Sequence, residues 1–495
     1  VASGFLIFLG YAGFNQFYLE WFSLVPVLWA VRDQRPGRSF LIGWLAGTVG
    51  HLGGFYWVTQ MFQHFANAPL PFALIGLLFL AAANGVVVAA WASVTRLIAR
   101  DTGWSLLWLA PVVWAAAEKL WPEVFPNYLG ASQYLLPQLT QIADLTGVLG
   151  VGFLVVYFNA VIYTVADQWL SRRRLPGRTL ATLAAVLLLV VGYGQLRIRG
   201  VERELRGAES LTVGLVQTNR GAADAYLDPA SRLREYQELS GTLASRRPDL
   251  VVWPEGVCTL NLPGREGALP PEVLGNLGTP MLVGACLPQY GGGGRVVSNS
   301  ALLTDAGGRI LGSYDKTVLV PFGEYIPFGD IFPSVYSWSP YSSRFLKGQS
   351  EEPLVLGKHR LSVNICYEDI FPGHVRMLMR GGRERVRPEA IFNLTNDSWY
   401  GKTTEPLEHL ALASFRAIEN RRALVRVTNT GISAFVDPAG RIVSRTGIWT
   451  KEVLVGRVPL LHGSTVYQVA GDWLGWLCAV ATLAGLVQAR RVRKF

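Results

Sequence analysis

The chain has 495 residues, half of them hydrophobic, with 16 Trp, 18 Tyr and 23 Phe and a mean hydropathy of +0.28, too apolar for a purely soluble protein. The net charge of +10 does not point to nucleic acid, because the arginines gather at the edges of apolar runs and no nucleic-acid motif is present. Four cysteines make no disulfide framework; Cys258 and Cys286 could pair in an oxidising compartment but read better as buried free thiols.

In chain order, apolar runs lie near residues 1–14, 16–32, 39–61, 70–97, 104–118, 148–169, 179–196 and 466–489, about eight candidate transmembrane helices. The first is shorter than the ~20 residues that cross a bilayer and is read as missing its start. It has neither the basic leader nor the cleavage signal of a signal peptide. Basic residues of short loops stay in the cytoplasm. Arg32, Arg35 and Arg38 follow the second run, Arg96 and Arg100 the fourth, Arg172, Arg173, Arg174 and Arg178 the sixth, and Arg490, Arg491, Arg493 and Lys494 the eighth. The intervening loops carry almost none. This alternation places the segment between the seventh and eighth runs outside the cytoplasm. The expected organisation is a transmembrane domain over 1–208, an extracytoplasmic domain over 209–464 and a last helix with a basic tail over 465–495.

A charged arm containing Arg197, Arg199, Glu202, Glu204 and Arg206 opens the outer domain. Strands are expected over 211–218, 249–253, 280–286, 297–304, 309–314, 361–366, 389–395, 423–428 and 432–437, and helices over 229–246, 373–380 and 405–421. Asp305 to Gly308 and Asp437 to Gly440 are hairpin turns whose glycines supply positive φ. Interleaved strands and helices favour an α/β layered sandwich. The run Gly291 to Gly294 lacks the lysine and helix of a phosphate loop and reads as a turn.

Three residues at the ends of apolar, β-rich segments carry the chemistry. Glu255 ends Val251-Val-Trp-Pro-Glu255, Lys316 follows Tyr314-Asp, and Cys366 ends the run from Leu361, followed by Tyr367, Glu368 and Asp369. Each alone has an ordinary structural explanation: a packed thiol, a turn-capping acid, a surface ion pair. Together a carboxylate, an amine and a thiol suffice for covalent acyl transfer. The six histidines lack metal-ligand spacing, so no metal and no cofactor is expected. His409 reads as a hydrogen-bonded core residue, and Arg421 with Arg422 as a solvated helix end.

The Glu, Lys, Cys order resembles the nitrilase, or carbon-nitrogen hydrolase, superfamily. With the membrane runs, the segment Lys316-Thr-Val-Leu-Val320-Pro-Phe-Gly-Glu324-Tyr, the Cys366-Tyr367-Glu368 triplet, Asn396-Asp-Ser-Trp399-Tyr-Gly, Gln141 to Gly150, Arg416 to Arg421 and Thr428 to Gly431, nearly the whole chain resembles the membrane-embedded apolipoprotein N-acyltransferase family. The resemblance implies an αββα sandwich, a Glu255, Lys316, Cys366 triad, Glu324 as a supporting acid, and Val320, Tyr367, Glu368 and Trp399 around the substrate. It further implies a phospholipid acyl donor, phosphatidylethanolamine by the family rule, and the amine of a diacylglyceryl-cysteine on an apolipoprotein as acceptor, at a bacterial inner membrane. A monomer is expected. One departure is Gly256-Val-Cys258-Thr, where a more apolar, proline-containing continuation is expected. Phe332, Tyr336, Trp338, Tyr341 and Phe345 read equally as a membrane-touching lid or as core aromatics. The alternatives are a membrane-tethered amidase and a silent scaffold.

Overall fold

The computed structural model describes residues 1–495 except 66, 174, 222–227, 259–261, 263, 276, 292–293, 330, 333, 335–344 and 494–495. It forms two compact units, one of Val1–Thr59, Pro69–Gly200 and Thr465–Phe495, the other of Gln60–Ala68 and Val201–Ser464.

The first unit is helical. Among the described residues, four helices are long and apolar enough to cross a membrane: Leu70–Thr102, Val148–Ser171, Gly177–Gly207 and Trp473–Val492. Ala2–Gly10, Val25–Val31, Pro36–Gly54 and Leu106–Leu120 occupy further apolar runs. The charged arm at 197–206 is the last turns of the Gly177–Gly207 helix rather than a separate connector. Helices Pro36–Gly54 and Leu70–Thr102 pack closely because small residues line the seam. A Cβ on Gly47 would lie 2.8 Å from Gly85 Cα, and one on Gly43 2.6 Å from Val88 O. Such small-residue seams replace the hydrophobic drive that lipid removes.

The second unit contains two six-stranded sheets. In chain order the strands are β1 (Ser210–Gln217), β2 (Leu250–Val252), β3 (Met281–Gly291), β4 (Gly294–Thr304), β5 (Ile310–Asp315), β6 (Leu354–Leu356), β7 (His359–Ile365), β8 (Ala390–Thr395), β9 (Ala423–Thr428), β10 (Ala434–Val436), β11 (Ile442–Arg445) and β12 (Glu452–Pro459). One sheet runs β12-β1-β2-β3-β4-β5, the other β11-β10-β9-β8-β7-β6. Each has a parallel core, β1-β2-β3 and β7-β8-β9, with antiparallel strands outside it. Strands β8 and β9 are buried at every position, as strands covered on both faces must be.

A helix layer covers each sheet. Leu233 and Tyr236 of helix Pro229–Gly241 pack with Val251, Trp253 and Val283, and Leu410, Ala413 and Ala417 of helix Glu405–Asn420 pack with Ile391, Leu424 and Ala434. The sheets meet face to face, where Gly456 of β12 leaves room for the Phe435 ring of β10 and Gln217 Oε1 accepts from Ser433 Oγ at 2.7 Å. The result is a four-layer α/β sandwich. Strands β6, β11 and β12 were not expected from the sequence. The pair Arg421 and Arg422, expected to be solvated, is buried. Arg421 donates to Pro438 O and Arg422 to Pro388 O and Gly463 O. The guanidinium fork satisfies carbonyls of converging loops. All four cysteines are free thiols.

Gly284, in the middle of β3, supports the segment leaving β2. A Cβ there would lie 2.2 Å from Pro254 O and 2.7 Å from Glu255 Cα. Gly284→Ala is therefore expected to lower stability by about 1–3 kcal/mol, the usual range for overpacking, seen as a lower melting temperature of the detergent-solubilised protein. An unchanged melt would show that the Pro254 to Glu255 backbone can move aside.

Candidate active site

The carboxyl ends of β2, β5 and β7 deliver Glu255, Lys316 and Cys366, where loops leave the sheets and can converge on a ligand. Glu255 follows the buried Trp253, whose ring packs 5.3 Å from that of Tyr236. Tyr236 OH donates to Asn429 Oδ1 at 2.6 Å, and Asn429 Nδ2 donates to Glu255 O at 3.1 Å. Residues from both sheets thus fix the backbone of Glu255.

Lys316 is 1% exposed, with its Nζ 2.8 Å from Glu324 Oε1 and 3.8 Å from Glu255 Oε1. Asn299, on β4, joins the two carboxylates: its Nδ2 donates to Glu255 Oε1 at 2.6 Å and to Glu324 Oε1 at 3.2 Å. The carbonyl of Asn299 also accepts from Lys316 N at 2.8 Å. Val320 takes part through its backbone, donating N–H to Glu324 Oε2 at 2.9 Å.

Cys366 opens a tight turn with φ +54°, an unusual backbone angle for a residue with a Cβ. Asn393 Nδ2 of β8 holds its carbonyl at 2.8 Å. Glu368, expected beside the substrate, is fully buried and uses both carboxylate oxygens on the protein. Oε1 accepts from Thr317 N at 2.6 Å and Val318 N at 2.9 Å; Oε2 accepts from Ile365 N at 2.8 Å and Tyr314 OH at 2.9 Å. It is a clamp between the lysine loop and the cysteine turn.

Charge state follows from this packing. Burial pushes the Cys366 thiol well up, and the Glu255 charge adds to it while Lys316 opposes. Burial raises Glu255 as well, Lys316 pulling it back. Burial alone would lower Lys316, but Glu324, Cys366 and Glu255 outweigh it and hold the ammonium above its ordinary range. Lys316 is therefore held as an ammonium and Cys366 as a thiol, and Glu255 is a stronger base than an ordinary carboxylate. Oε2 of Glu255 is buried, and the Cys366 thiol hydrogen-bonds to the Glu255 carboxylate, a contact through which a proton can pass.

Behind the cysteine turn lies a buried polar network that the sequence reading did not assemble. Tyr367 OH donates to Glu405 Oε1 at 2.6 Å, and its ring stacks on His409 at 4.6 Å. His409 Nε2 lies 2.7 Å from Asp369 Oδ1. Arg426 Nη2 donates to Asp397 Oδ2 at 2.9 Å and lies 2.9 Å from His409 Nδ1. Ligand atoms of Asp397, Glu405 and His409 lie within 4.8 Å of one another, but the Arg426 guanidinium already meets two of the three, so the arrangement is an ion-pair network rather than a metal cage. Trp399 lies half-buried on the turn Asp397–Tyr400. Phe332 is 60% exposed and Phe345 N donates to Glu324 O at 3.0 Å; Tyr336, Trp338 and Tyr341 lie outside the described residues.

A family model described as Carbon-nitrogen hydrolase matches residues 212–463, so the sandwich belongs to that class of α/β domain. Residues 3–161 match a second model, the Apolipoprotein N-acyltransferase N-terminal domain. Proteins named apolipoprotein N-acyltransferase match almost end to end. That of Geobacter metallireducens is 30% identical over 99% of this chain and 95% of its own. That of Gloeobacter violaceus is 30% identical over 95% and 90%, and that of Caulobacter vibrioides 32% identical over 97% and 90%. The chain belongs to the apolipoprotein N-acyltransferase family and, with its long apolar helices, is a bacterial membrane protein.

Because the Glu255 charge raises the thiol and Lys316 lowers it, Glu255→Gln is expected to move the pH midpoint of Cys366 alkylation down and Lys316→Met to move it up. Identical alkylation profiles in all three proteins would break this coupling. His409 feels burial and Arg426 pushing it down, yet Asp369 and Asp397 raise it from 6.5 to about 9. Its contribution to stability is full below pH 6.5 and is lost as pH rises through 9. His409→Gln should flatten the fall in melting temperature across that window, and an undiminished fall would assign it to other groups.

Proposed function

We propose that this protein transfers an acyl chain from a membrane phospholipid, through a thioester on Cys366, to the α-amine of the N-terminal diacylglyceryl-cysteine of an apolipoprotein. The observation that carries the reading is the buried Lys316 ammonium held between Glu324 and Glu255, with Cys366 close enough to feel all three charges.

Glu255 takes the thiol proton as Cys366 Sγ attacks the ester carbonyl of the donor. Lys316 stabilises the developing oxyanion, and Glu324 keeps it charged and in place. The carbon–oxygen bond of the ester breaks, the alkoxide leaving group takes the proton from Glu255, and a lysophospholipid departs. The acceptor amine then attacks the thioester carbonyl and gives a proton to Glu255. That proton returns to the leaving thiolate as the amide forms, a two-step exchange with ping-pong kinetics. Val320, Tyr367 and Trp399 are assigned to the substrate surroundings, Val320 through its backbone, and Glu368 to holding the lysine and cysteine loops together.

Exposed apolar side chains near the site support a lipid donor. Phe328, Ile331 and Phe332 are 73%, 68% and 60% exposed, clustered in the loop after Glu324, and such patches mark membrane or partner contact. Each methylene removed from water contributes about 0.8 kcal/mol, so a two-tailed phospholipid such as phosphatidylethanolamine is favoured over a soluble amide. The loop charges support eight spans in a bacterial inner membrane, with 209–464 periplasmic and the C-terminus cytoplasmic; the chain is assigned as a monomer.

Intact mass of the protein, incubated with phosphatidylethanolamine and then with a diacylated lipopeptide bearing a free amine, tests the reading. The wild type should gain one acyl chain that moves to the peptide, and Cys366→Ala should gain none. Lys316→Met should slow transfer by about 10²–10³, the usual effect of losing one oxyanion donor. A wild-type adduct discharged only by water would replace the transferase with a hydrolase.

A further inference from the structure

A cavity lies wholly within the helical unit. It has a volume of about 260 Å³ and is lined by Leu28, Val31, Ala92, Ala99 and Leu106, with Arg32, Thr95, Arg96 and Tyr163 among them. It opens where the end of helix Val25–Val31, the last turns of Leu70–Thr102, the first turn of Leu106–Leu120 and the middle of Val148–Arg172 come together.

Its polar groups are unevenly satisfied. Arg32 pairs with Asp33 at 2.9 Å and Asp167 at 3.4 Å. Arg96 makes one hydrogen bond among the described residues, from Nε to Gln34 O at 3.2 Å; no carboxylate meets it, and its terminal nitrogens are unused. Thr95 is 2% exposed, and its Oγ1 has no hydrogen-bond partner. Arg96 is half-buried at the end of its helix, and an arginine there without a carboxylate partner suits an anion. The remaining wall is Tyr163 and aliphatic side chains. Basic pockets between helices at a membrane edge suit phosphate headgroups whose chains lie along apolar side chains.

We propose that this cavity binds the phosphate of an anionic phospholipid, with Arg96 as its principal donor and Leu28, Val31 and Leu106 against the glycerol and first methylenes. This lipid is distinct from the acyl donor, since no cavity residue belongs to the reaction centre.

Native mass spectrometry of the full chain released from nanodiscs of equal parts phosphatidylglycerol and phosphatidylcholine tests it. The wild type should retain phosphatidylglycerol, and Arg96→Gln should reduce that retention about tenfold or more, the effect of one charge-assisted hydrogen bond. Acyl transfer on the same samples should be unchanged, which confirms folding and separates this lipid from the donor. Arg96→Lys, which keeps the charge and loses the guanidinium fork, should weaken retention several-fold, and it decides the matter if Arg96→Gln does not fold. Equal retention by wild type and the folded variant overturns the proposal. So does stabilisation by inorganic phosphate, dependent on Arg96, without any preference for phosphatidylglycerol; that result would assign the cavity to a soluble anion.

Discussion

The site depends on one buried carboxylate whose two oxygens are both spent on the protein itself. Glu368 accepts from the backbone after β5 and from the backbone at the end of β7, strands that lie in different sheets. Backbone N–H groups directed at a carboxylate are among the stronger hydrogen bonds a protein makes. Through them the lysine loop and the cysteine turn hold one position relative to each other. Tyr236 and Asn429 do the same for Glu255. The sheets are therefore joined at the reaction centre by polar side chains as well as by packing.

That construction explains how a buried lysine can lie among groups that compete for its charge. Burying an ammonium is costly unless well-placed acceptors compensate it, and Glu324 and Glu255 are both present. Burial first, and then their negative charge against the pull of Lys316, makes thiolate formation at Cys366 unfavourable. A thiol kept protonated until a carbonyl lies beside it is protected from wasteful alkylation and oxidation, which act on the thiolate. Proton removal and bond formation are thereby tied to the same moment.

Much of this was legible in the sequence, and the exceptions have physical reasons. The parallel core strands stand out because both their faces are covered and they read as apolar runs. Strand β12 was missed because its partner β1 lies more than two hundred residues earlier and Gly456 and Arg457 interrupt its apolar pattern. Strand β6 has three residues, too few to show a period. The acid, amine and thiol were visible because each ends an apolar run. Asn299, Asn393 and Arg426 were not, since their roles exist only once strands pair. For Asn393 and Arg426 a signal was nevertheless present, a polar residue inside a largely apolar strand, where burial without a partner is unfavourable; Asn299, between Ser298 and Ser300, gave none. Arg421 and Arg422 misled for the converse reason, because a helix-end arginine pair looks solvated until the loops that cover it are known.

The backbone angle at Cys366 has a consequence for descent. A φ of +54° is comfortable for glycine and tolerable for asparagine, but costly for most other residues. Glycine at this position would relieve the strain, whereas alanine would keep it. A lineage released from the need to transfer acyl groups would drift at this position first, toward glycine or asparagine, while Glu368 and the buried Arg426 network persisted to hold the fold.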